Sequence, residues 1–230
     1  MSKKNKAPWI FAGVIVGTVG LYLVPYGRYV AYPLLLLSTY AHEMGHGLSA
    51  LVMGGTFESL VMSADGSGVA YLRIPDSRLA RAATSAGGLV GPAFLAALFF
   101  WLAKRPRTAH AGLMTFGLAS GAALVLVVRS PVGWLLVGAL GAGSVLLAVK
   151  SSPNVAQVVL AFMAVQLSLS VFSRADYLFT ESTGAGPSDV AQMADALLLP
   201  YWFWGIVCGA ISVAVLMMGM RSFLRATPSG

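Results

Sequence analysis

Tyr29-Val-Ala-Tyr-Pro-Leu-Leu-Leu-Leu-Ser-Thr-Tyr40-Ala-His42-Glu43-Met44-Gly45-His46 is the stretch that decides how this chain is read. Its first twelve residues are almost wholly apolar, and three ionisable side chains follow within five positions. Residues four apart on an α-helix share a face, so His42 and His46 can present two imidazole nitrogens to one metal ion. Glu43, next to the first histidine, can reach a water at that metal as a general base. Ionisable groups inside a membrane-depth helix are costly and mark function. The whole chain holds only three histidines, so chance does not readily produce this spacing.

The rest of the composition agrees with a membrane setting. Hydrophobic residues make up 57% of the chain and charged residues 10%, far from the soluble average. Seven apolar stretches are long enough to span: 8–26, 30–53, 83–103, 109–128, 131–149, 154–174 and 200–220. The expected fold is an all-α polytopic membrane protein of about seven transmembrane helices, with 109–149 open to reading as one hairpin of short spans. Residues 1–226 form one membrane-embedded domain, and 227–230 are expected to be a disordered tail. The first stretch has a basic start and an apolar core but no small-x-small cleavage site, which favours an uncleaved span. Cys208, the single cysteine, lies in the last span and reads as a small core residue.

The formal charge of +7 does not call for nucleic acid. Lys and Arg gather at span ends, the pattern of headgroup contact and topology control. The early cluster Lys3, Lys4 and Lys6 suggests a cytoplasmic N-terminus in a bacterial cell membrane. Alternating seven spans puts eight Lys/Arg on the N-terminal side and seven on the other, a balance that leaves orientation nearly even.

Two pieces lie outside the spans. In 55–75 two β-prone runs, Phe57–Met62 and Val69–Ile74, flank Ala64-Asp65-Gly66-Ser67-Gly68, which predicts a short β-hairpin directly after the histidine helix. A strand edge there could take an extended substrate segment by strand addition; the plainer reading is a connecting loop. In 175–199 a Gly/Ser/Pro-type loop leads to Ser188-Asp189 and a short apolar-periodic run, with either residue suited to cap a helix.

A catalytic zinc site needs a third protein ligand. His110 follows Lys104-Arg105-Pro106-Arg107, a solvated basic turn and a poor place for one. Asp65 is needed by its turn, Asp76 sits in a charged loop, and Asp195 falls on the polar side of its helix. Asp176 and Asp189 remain. Alternation returns both to the side of the membrane on which His46 lies, so either can approach the metal. Asp176 can instead pair with Arg174, and Asp189 can be only a helix cap.

With these features in order, the chain resembles the site-2 protease family of intramembrane zinc metalloproteases, and more closely its compact site-2-protease-like branch. The resemblance is carried by His42-Glu43-Met44-Gly45-His46-Gly47, then Gly54-Gly55, Gly66-Ser67-Gly68, Ala86-Gly87-Gly88-Leu89-Val90-Gly91-Pro92, Ser188-Asp189-Val190-Ala191-Gln192-Met193-Ala194, and Pro200 with Trp204. It covers roughly residues 35–220. It implies a Zn2+ cofactor on His42 and His46, Glu43 as catalytic base, and a membrane protein or peptide as substrate, beside the lipid bilayer and without nucleic acid. Matching the Ser-Asp segment favours Asp189 as third ligand, with Asp176 the alternative. Better-studied members place that aspartate in an Asn-Pro/Asp-Gly type motif on a later span, and this chain has none. Histidine and carboxylate donors also suit cobalt or iron. The rival reading is a non-proteolytic metal-binding membrane scaffold of the same fold. A transporter would want ionisable groups spread along several spans rather than gathered at their ends.

Overall fold

The fold is described from a computed structural model, for residues 7–23, 25–173, 175–183 and 186–225. All seven expected spans appear as helices. They are α1 (Ala7–Leu23), α2 (Gly27–Val52), α3 (Arg78–Leu102), α4 (Pro106–Leu126), α5 (Pro131–Lys150), α6 (Pro153–Ser173) and, last in the chain, α8 (Tyr201–Leu224). Among the described residues, α3, α4, α5, α6 and α8 are long and apolar enough to cross a membrane. α1, at 17 residues, is short of the roughly 20 that a bilayer asks for. α2 is long, but its second half carries Ser38, Thr39, His42, Glu43 and His46. The protein is an all-α polytopic membrane protein with a β-hairpin, and seven spans is an approximate count. The expected tail 227–230 lies outside the described residues.

α3, α5 and α8 run in one sense and α2, α4 and α6 in the other; α1 runs with α6, its Phe11 ring 6.2 Å from that of Phe100 and its Thr18 bonded to Gln166 further along. Glycine contacts set the pairings. A β-carbon on Gly87 would meet Ser49 and the Gly45 carbonyl, while one on Gly91 would meet the Ala41 carbonyl. These contacts fix α2 and α3 as antiparallel at backbone-to-backbone distance. Gly117 and Gly141 bring α4 and α5 together in the same way, so 109–149 is two helices packed as a hairpin. Pro106 and Pro131 start these helices, where a missing N–H costs nothing.

α3 starts at Arg78, five residues before its expected start. Ser77 explains the extension, since its Oγ accepts the Ala80 N–H and caps the helix. The core gathers Leu36, Leu37, Phe99, Phe100, Leu113, Leu160 and Phe223 where α2, α3, α4, α6 and α8 meet. Gln157 and Gln166 are buried and satisfied. Gln157 donates to the Ala103 carbonyl at 2.7 Å, and Gln166 to the Thr18 hydroxyl at 2.6 Å.

The hairpin forms as expected, from β1 (Thr56–Met62) and β2 (Gly68–Arg73), antiparallel. Gly66 at φ 92° supplies the left-handed residue that the turn requires. Asp65 Oδ1 accepts from the Ser67 N–H at 2.9 Å and the Ser67 hydroxyl at 2.6 Å, bonds that hold its carboxyl below the usual range. The hairpin folds back along α2. Tyr32 donates to the Ala64 carbonyl at 2.6 Å and Thr39 to the Gly66 carbonyl at 2.7 Å. Strand β1 is covered on its other side by the α4–α5 link. Leu60 N–H reaches the Val127 carbonyl at 2.8 Å, and the Leu60 carbonyl accepts from Arg129 N–H at 2.9 Å.

After α6 the chain makes a 3-10 turn (Ala175–Phe179), a two-residue pair β3 (Ser182–Thr183) and β4 (Gly186–Pro187), and helix α7 (Asp189–Leu197). This strap packs on α3 and α8. Met193 and Ala196 are buried with Ala82 and Cys208.

Candidate metal centre

Helix periodicity puts His42 and His46 on one face of α2, where their rings meet edge to face at 4.7 Å between centroids. Opposite them lies Asp189, the first residue of α7. Ser188 is the cap of that helix; its Oγ accepts the Ala191 N–H at 3.2 Å and donates to the Thr180 carbonyl. With Ser188 as the cap, the Asp189 carboxylate is released to point at the histidines.

The three donor atoms form a nearly equilateral triangle. His42 Nε2 and His46 Nε2 are 3.2 Å apart, and Asp189 Oδ2 is 3.3 Å from the first and 3.4 Å from the second. Ligands held about 2.0–2.1 Å from a tetrahedral zinc lie about 3.3–3.4 Å from one another. The donor set therefore fits such an ion in type and in spacing, and it is the His/Asp cluster suited to a metal among the described residues. Burial works to raise the Asp189 carboxyl, but hydrogen bonds and charge from His42 and His46 outweigh it and hold the group well below the usual carboxylate range.

His46 is oriented from behind. Its Nδ1 lies 2.9 Å from the Thr84 carbonyl. A carbonyl only accepts, so Nδ1 carries the proton and Nε2 keeps its lone pair for the site. Gly88, one helical turn further along α3, leaves room for the ring. Residue pattern alone gave no sign of Thr84, because any residue there offers the same carbonyl.

Glu43 is buried beside this triangle. Its side chain lies against the start of β2, where a β-carbon on Gly68 would stand 2.9 Å from Glu43 Cγ and 3.3 Å from Oε1. Both carboxylates and both histidines line one cavity of about 920 Å³. β2 forms one wall of it, through Gly68, Ala70 and Leu72, and polar groups from Ser38, Thr39 and Ser85 continue the lining.

The other sequence candidates fall elsewhere. His110 lies at the opposite end of the bundle, on the first turns of α4. Asp76 is exposed, 3.9 Å from Arg81. Asp195 belongs to the last turn of α7. The side chains of Arg174 and Asp176 lie outside the described residues.

No curated protein matches the chain, and no solved structure does. The family model described as Peptidase M50B-like matches residues 12–219, nearly the whole length. A chain with this match and five apolar spanning helices is an integral membrane protein, and it belongs to the Peptidase M50B-like family, a site-2 protease family.

Proposed function

We propose that this protein is an intramembrane zinc metalloprotease that hydrolyses peptide bonds of membrane-associated substrates. The carrying observation is the donor triangle of His42, His46 and Asp189, with sides of 3.2, 3.3 and 3.4 Å. These three residues hold the metal and Glu43 is the base. Family membership supports peptidase chemistry in general.

When bound, zinc acidifies a water and polarises a carbonyl oxygen. Glu43 takes a proton from the attacking water and returns it to the leaving amine nitrogen. Its burial beside Gly68 keeps the carboxylate in one place for both transfers. The Thr84 carbonyl keeps His46 in the tautomer that the site needs. The cavity brings substrate and water to a site that lipid would otherwise keep dry.

The hairpin presents the substrate. The outer edge of β1 is taken by Val127–Arg129, while among the described residues no strand pairs with the outer edge of β2. A substrate segment unwound from its own helix binds along β2 in extended form, since main-chain pairing accepts many sequences.

The test is Glu43→Gln in the purified full chain, beside wild type, on the same reconstituted membrane-segment substrates. Zinc content and folding are expected to persist. Cleavage is expected to fall by about 10²–10⁴-fold, the usual worth of general-base help. Equal cleavage by both proteins would rule out this site as its source and leave a metal-binding scaffold as the better reading.

A further inference from the structure

The turns at the end of the bundle away from His46 are rich in cations. The segments at that end are 97–112, 145–160 and 214–225. They contain Lys104, Arg105, Arg107, Lys150, Arg221 and Arg225, and no Asp or Glu at all. Glu43, Glu58, Asp76, Glu181, Asp189 and Asp195 lie toward the His46 end, and Asp65 lies at the hairpin tip, where the Ala64 carbonyl meets Tyr32.

The densest part of the cationic end is the α3–α4 turn. Gln157 holds it through the Ala103 carbonyl, and the Thr108 hydroxyl donates to the Leu102 carbonyl at 2.6 Å. The turn is therefore a fixed platform. Arg105 and Arg107 are exposed on it, Lys104 is half-buried, and none of the three makes an ion pair among the described residues. α8 runs beside α3, with Phe223 and Phe100 in ring contact at 5.9 Å, and so adds the exposed Arg221 and Arg225 to the same end. The fold itself gains little from these charges. Cations in the first turn of α4 oppose its dipole, and Arg105 makes no side-chain cap. Trp101 is exposed beside Lys104, whose ammonium stands 5.9 Å from the ring centroid, an arrangement suited to the headgroup level.

We propose that this face, centred on Lys104, Arg105 and Arg107, is a docking surface for the phosphate headgroups of anionic phospholipids. A fixed group of cations on a turn that contains no acid, 97–112, complements a phosphodiester layer. A solvated loop would have mixed signs. The inference does not depend on the hydrolytic reading of the metal site.

Trp101 supplies the reporter. Trp134, Trp202 and Trp204 lie at the His46 end, and Trp9, two residues before the Phe11 that packs on Phe100, contributes equally with and without Trp101. The full-length protein is reconstituted in vesicles containing brominated phosphatidylglycerol or brominated phosphatidylcholine, whose bromines quench a tryptophan they touch. Subtracting Trp101→Phe isolates this site. A basic side chain near an anionic surface is worth roughly fivefold in lipid preference. Trp101 should therefore favour phosphatidylglycerol by about fivefold or more, a preference lost at high salt. Lys104→Gln/Arg105→Gln/Arg107→Gln should bring it near unity, while Arg78→Gln, at the other end, should leave it unchanged. No preference in wild type, or one that survives the triple change, overturns the proposal. Full competition by millimolar inorganic phosphate would reveal a free-phosphate site and overturn the assignment to lipid.

Discussion

Gly88 of α3 lies directly under the imidazole of His46, so close that a β-carbon there would occupy the ring's own space. The histidine helix and the glycine-rich helix are thus built as one unit around this ligand. Gly88→Ala is expected to displace the ring and remove most bound zinc, read by metal analysis of purified protein. Gly121→Ala, where a β-carbon meets nothing within 4 Å, should keep it.

His46→Ala removes a corner of the donor triangle; wild type is expected to carry about one zinc per chain and the variant to lose most of it. Equal metal in wild type and variant would remove the basis for the hydrolytic reading.

Asp189→Ala is expected to lose zinc and Asp176→Ala to retain it. The reverse result would reassign the third ligand. Ser188→Ala separates cap from ligand: it should lower stability by about 1 kcal/mol while the Asp189 carboxylate remains available to zinc.

Gly68→Ala would press on Thr39 Cγ2, 2.7 Å from the added carbon, and on Glu43. Cleavage should fall at least about tenfold through a misplaced base, with zinc content unchanged. Loss of zinc alongside activity would instead mean that the hairpin braces the ligands themselves.

Ser130 is buried and joins the hairpin to α5. Its Oγ accepts the Met62 N–H at 2.8 Å and the Gly133 N–H at 3.2 Å. Ser130→Ala leaves the buried Met62 donor unpaired, which should cost about 1–3 kcal/mol. Thermal unfolding in detergent would show it as a lower midpoint without metal loss.

The histidine pair was legible because i, i+4 spacing is a local property, and the hairpin because Asp65-Gly66 sits between two β-prone runs. Alternation of spans also put Asp189 on the side of His46, where the structure has it 3.4 Å from the ring. The choice between Asp176 and Asp189 was not legible. It turned on which side chain caps α7, and Ser188 and Asp189 are both good caps. The long-range pairing of Leu60 with Val127 and Arg129 left no sequence signal, since backbone groups carry it. Thr84 was invisible for the same reason. Seven apolar runs became seven helices, yet length and the polar motif keep α1 and α2 from meeting the measure of a spanning helix.

The position of Asp189 also sets an order of events during synthesis. His42, Glu43 and His46 enter the membrane with α2, but the third donor is made only after α6. At roughly 5–20 residues per second, that interval is on the order of ten seconds. On the proposed reading, the nascent chain throughout that interval has two histidines and a base but no complete metal cage. The ribosome must translate the strap before the site can close, so a partly made chain is born unarmed among the other proteins entering the same membrane.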